Sequence, residues 1–173
     1  MNAMNEINYQ VEPEEEKRPK FLTIVGILSF VSIGFQFIVF IFNLFKGKVS
    51  EEAIIEQKVQ AAQLYQAIGI EGDELSDIVS MTGRVLEETN NSFWTIQLLT
   101  IVTLVIGLSG VLMMFRKRRV GFHLYIIYSL LAVGGVYLYL SPDLITLPSL
   151  VFSLMVSGLF IFFYARNLKW MTK

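Results

Sequence analysis

Four stretches of this chain carry almost no charge: residues 21–45, 93–115, 120–140 and 147–164, which are 25, 23, 21 and 18 residues long. A helix rises 1.5 Å per residue, so about 20 apolar residues cross a hydrocarbon core of roughly 30 Å. The first three stretches meet that length alone, and the fourth meets it with its polar flank, at 147–165. A water-soluble bundle of helices apolar all round would leave large greasy faces in solvent, which soluble monomers rarely tolerate. The expected fold class is therefore all-α: a polytopic integral membrane protein with four transmembrane helices.

Charge is scarce, 17% of residues against about 25% in soluble domains, so its placement carries information. Arg116, Lys117, Arg118 and Arg119 fill the whole turn between the second and third stretches. Four spans put both termini on the same side as that turn. That side then holds Lys17, Arg18, Lys20, the 116–119 turn, Arg166, Lys169 and Lys173. The opposite side holds Lys46, Lys48, Lys58 and Arg84. Basic residues in short loops stay in the cytoplasm. Both termini and the basic turn are thus expected inside, and residues 46–92 outside. The turn reads first as a topological anchor, and second as a contact for anionic lipid.

Residues 1–20 are polar and interrupted by Pro13 and Pro19, and are expected to be a disordered cytoplasmic tail. The first span follows an acidic tail and shows no small-x-small cleavage pattern, so it is expected to stay uncleaved. Residues 46–92 read as an extracytoplasmic amphipathic helical hairpin. Ser50 suits a cap ahead of Glu51 and Glu52. Ile54, Ile55, Val59, Ala62, Tyr65 and Ile68 predict one apolar face, and Gly69 a stop. A second helix restarts after Gly72 with Asp73 as its cap and Leu75, Ile78, Val79, Thr82 and Leu86 as its inner stripe. The two helices are expected to pack together as a small cap over the bundle. Residues 141–146 form the second outer turn, with Pro148 in the first turn of the fourth span. Residues 166–173 form a cytoplasmic tail.

Nothing in the spans suggests catalysis. They contain no Asp, Glu, Lys or Arg, the usual marks of proton and ion pathways. Without cysteine there are no disulfides, thiolate nucleophiles or zinc–thiolate sites. His123, alone near a headgroup region, lacks the partners a metal site needs. Glu71, Asp73, Glu74 and Asp77 match no Ca²⁺ loop and read as a solvated helix start. No hydrolase, phosphate-loop or dinucleotide signature occurs. No catalytic, cofactor-binding or metal-binding residues are expected, no cofactor, and no nucleic-acid partner.

Each span does carry small and polar residues at helical spacing: Ser29, Ser32, Gln36 and Asn43; Gln97, Thr100, Thr103, Gly107 and Gly110; Gly121, Tyr125, Tyr128, Ala132, Gly135 and Tyr139; Ser149, Ser153 and Ser157. Such residues let helices approach closely and hydrogen-bond within lipid. The candidate intramembrane contacts are Gln36, Asn43, Gln97, Thr100, Thr103, Ser149, Ser153 and Ser157. Packing stripes without chemistry predict a non-catalytic accessory or scaffold subunit. Its partners are the bilayer and other membrane proteins or further copies of itself, and a bacterial plasma membrane is favoured. The alternative is a permeation or carrier unit lined by those amides and hydroxyls, and the third a membrane enzyme.

Overall fold

The computed structural model describes residues 19–171. Most of the 1–20 tail, with Lys17 and Arg18, and Lys173 at the other end lie outside the described residues. Within them the chain is helical, with no strand: α1 Lys20–Lys46, α2 Glu51–Ala67, α3 Gly72–Asn91, α4 Phe93–Phe115, α5 Val120–Gly134 and α6 Leu147–Ala165. Short 3-10 turns at Gly135–Leu138 and Pro142–Leu144 separate α5 from α6. Four helices are long and apolar enough to cross a membrane: α1, α4, α5 with its 3-10 extension, and α6. The bundle has a hairpin end, toward α2 and α3, and a basic end, at residues 116–119.

Local signals explain the boundaries. The Ser50 hydroxyl accepts from the Ala53 amide at 3.3 Å, with Glu51 and Glu52 in the first turn. Gly69 (φ 87°) ends α2 in a Schellman turn, in which the Ile70 amide donates to the Tyr65 carbonyl and the Gly69 amide to that of Gln66. Glu71 rather than Asp73 occupies the cap position of α3; Asp73 and Glu74 fill its first turn, where their charge suits the helix dipole. The third span ends as a 3-10 turn because the Gly134–Gly135 pair weakens α-helix at its last turn.

Between α3 and α4 only Ser92 departs from the helix, and its amide still donates to the Glu88 carbonyl at 2.9 Å. The two therefore form a nearly continuous rod over residues 72–115, about 65 Å by helical rise. The hairpin rises from α4 on this rod, and its hydrogen bonds and ion pairs with the bundle lie at its base. Asn90 exchanges two bonds with the Val49 backbone, at 2.8 and 3.0 Å. The Glu88 carboxylate accepts from the Ser141 amide at 2.7 Å and its hydroxyl at 2.9 Å, and Arg84 pairs with Asp143 at 2.8 Å. Removing the Glu88 acceptor should release the 141–146 turn. In Glu88→Ala we expect cleavage there by a nonspecific protease to rise tenfold or more, with the spans still protected, because each of the two charge-assisted bonds lost is worth about 1.5–3 kcal/mol.

One face departs from the periodicity. Ile54 is buried on the α3 side of α2, with Ala61, Ala62 and Tyr65 partly covered, but Ile55 (61% exposed), Val59 (49%) and Ile68 (67%) face outward. The reason is Lys58. Its stem lies over Gly83, where a side chain would collide with it, and its ammonium reaches Glu87 at 2.7 Å.

The spans form a ring in the order α1, α4, α5, α6. The α4–α5 pair is the closest, because Gly107, Gly110 and Gly121 remove side chains from the seam. The apolar core sits toward the basic end: Leu22, Val25, Val111, Met114, Tyr164 and Met171 are all nearly or fully buried. The basic turn closes this end. Lys117 takes the left-handed conformation (φ 61°) that completes a Schellman turn after α4. Its ammonium lies 5.1 Å from the Trp170 ring, and Arg119 donates to the Met171 carbonyl at 2.7 Å. Toward the hairpin end α1 and α6 are hardly covered, and Tyr164 is the only buried residue of α6.

Candidate functional site: a polar interior around Gln36

Three residues past the last buried position of α1, Ile33, Gln36 reaches inward at mid-height of the bundle. Its amide nitrogen donates to the Ser32 hydroxyl at 3.2 Å and to the Tyr128 hydroxyl of α5 at 3.3 Å. Two cavities of about 160 Å³ each meet at Gln36 and Ala132. One, between α1, α5 and α6, is lined by Ser29, Ser32, Ile33, Tyr125, Tyr128, Ser129, Val156, Ser157 and Phe160. The other, facing α4, is lined by Ile96, Leu99, Thr100, Thr103, Leu104, Leu131, Gly135, Val136 and Tyr139. Its Ile96 wall is shared with a third cavity of about 440 Å³ at the hairpin end, which holds Asn43, Lys46, Asn90 and Gln97.

The basic end of this interior is shut. The Tyr164 hydroxyl donates to the Ser29 hydroxyl at 2.8 Å, and the Tyr164 and Tyr125 rings meet edge to face with centroids 4.7 Å apart. Beyond them lie Leu22, Val25 and Met114.

The candidate residues divide accordingly. Gln36, Thr100, Thr103 and Ser157 line the paired cavities. Asn43 and Gln97 belong to the hairpin-end cavity, with Gln97 buried. Ser149 bonds within its own helix start, to Thr146, and like Ser153 is exposed. Arg116, Lys117, Arg118 and Arg119 lie at the opposite end, with Lys117 and Arg119 engaged by the C-terminal segment. Sequence reasoning leaves Ser129 and the tyrosine hydroxyls out of the site. The signal for Ser129 is its place one turn after Tyr125, on the face that Ala132 continues.

Neither of the paired cavities has an Asp, Glu, His, Lys or Arg in its lining. The arrangement can donate and accept hydrogen bonds to a neutral group; it has no residue suited to exchange protons near neutral pH. Comparison with known proteins finds no matching family model, no matching curated protein and no matching solved structure.

Proposed function

We propose that this chain is a non-catalytic subunit of a plasma-membrane assembly, binding another membrane protein or a second copy through its spans. In this reading both termini and the basic turn lie in the cytoplasm, and residues 46–92 lie outside, in a bacterial inner membrane. One observation carries it. Ser149, Ser153 and Ser157 form a small-residue ridge at four-residue spacing on α6, and its first two members are uncovered by the chain's own bundle. Next to Ser157, a side chain built at Gly158 would meet nothing within 4 Å. In lipid such ridges bring helices together by close packing and hydroxyl bonding. Gly107, Gly110 and Gly121 pack across the α4–α5 seam, whereas Ser149, Ser153 and Gly158 of α6 remain uncovered.

The test is purification of the full-length chain from its host membrane in mild detergent. A stoichiometric partner, or a dimer, is expected, and Ser153→Trp should remove it. Ile27→Trp, on an outward face of α1 distant from α6's ridge along the bundle, should retain it. A clean monomer for the unaltered chain would contradict the proposal. The string of cavities favours a second reading, a carrier or permeation unit for a small neutral solute. Liposome flux lost in Gln36→Leu would support it.

A further inference from the structure

We propose that the paired cavities around Gln36 bind an uncharged molecule through its hydroxyl or carbonyl group, at mid-depth in the membrane. This goes beyond the subunit role and uses the inner lining of the bundle, which shares only Ser157 with the α6 ridge. Each cavity has room for about five waters, at roughly 30 Å³ apiece. Apolar cavities stay empty, but polar-lined ones of this size take up an occupant that satisfies their groups. Unmet capacity is present. Thr103 is 7% exposed, and its hydroxyl has no hydrogen-bond partner among the described residues. Gln36 donates its amide protons to Ser32 and Tyr128, and its carbonyl oxygen accepts from no group among the described residues.

The lining also sets the ligand's charge. An ion here would lose its hydration and find no counter-charge. A neutral hydroxyl or carbonyl can instead bond the amide and hydroxyls while its remainder lies against Ile33, Tyr125 and Phe160. Ser32, Gln36 and Val156 are exposed where α1 and α6 part, which admits a molecule from the bilayer. Ile96 alone stands in both the second cavity and the hairpin-end cavity, so a molecule from water would pass by movement of that side chain. The Tyr164–Ser29 bond closes the far end.

Two probes separate these sources, each applied to the full-length protein in phosphatidylcholine nanodiscs. A diazirine-bearing diacylglycerol reports a lipid-borne ligand by saturable labelling of peptides from α1, α5 or α6. Radiolabelled glycerol reports a water-borne one by saturable binding. Saturation by either supports the site and identifies its source. Thr103→Val, nearly isosteric, should weaken that signal roughly fivefold, the worth of one hydrogen bond. Ala132→Phe, placed where the cavities meet, should abolish it, with its thermal melt checked against the unaltered chain. Leu130→Trp, exposed on α5 and outside both linings, should leave it unchanged. The proposal is overturned if neither probe saturates, or if Thr103→Val binds as tightly as the unaltered chain.

Discussion

Gly121→Leu should yield no folded protein. A Cβ at this position would sit 2.5 Å from the Gly110 carbonyl oxygen and 2.6 Å from the Met114 amide nitrogen. Both are backbone atoms in regular helix, so no rotamer change can relieve the collision; α4 and α5 would have to separate. That would undo the best-packed seam of the bundle, a loss beyond the roughly 1–3 kcal/mol of ordinary overpacking. We expect Gly121→Leu to aggregate on size-exclusion chromatography in mild detergent. Gly34→Leu is the control, because a side chain there meets nothing within 4 Å. It should run and melt like the unaltered chain. Equal behaviour of the two variants would mean that the glycine seam does not hold the bundle.

The second large effect is expected at Tyr164, which is 1% exposed and ties α6 to both α1 and α5. Tyr164→Ala removes the one fully buried ring of α6, beside which Phe160, Ile161 and Phe163 are only partly buried, and should cost about 3–5 kcal/mol. Tyr164→Phe keeps the ring and removes only the bond to Ser29. Interhelical bonds in membranes average about 0.6 kcal/mol, so it should cost under about 2 kcal/mol. Reversible unfolding in mixed detergent measures both. If the alanine variant cost no more than the phenylalanine one, the ring would not be the anchor of α6.

What can be read in the sequence follows from which forces act locally. The four spans are legible because charge is excluded over the whole length of each. The end of α2 is legible because Gly69 and Ile70 supply a left-handed residue followed by an apolar one, as the Schellman turn requires. The rotation of α2 is not legible. Periodicity scores Lys58 as a solvent residue, whereas its methylene stem fills the space that Gly83 vacates on another helix. Periodicity likewise places Gln36, Thr100, Thr103 and Ser157 on polar stripes without saying what each stripe faces. Ser157 lines the cavity while Ser153, one turn away on the same face, lies uncovered, because α6 parts from α1 toward the hairpin end. Only the crossing of helices decides such matters, and no single helix encodes it. Tyr128 stands on the polar stripe of the third span, but its partner Gln36 is settled only by the crossing of α1 and α5, and Tyr164, on no stripe, reads as packing until its hydroxyl is seen to meet Ser29.

The most direct test of the proposed role is a photoreactive amino acid placed at Ser153 and activated in intact host membranes. A partner subunit on the serine ridge predicts a discrete protein adduct from Ser153, with only lipid adducts from the same residue placed at Ile27. If Ser153, like Ile27, yields lipid adducts alone, the ridge faces the bilayer and the chain does not bind a partner there.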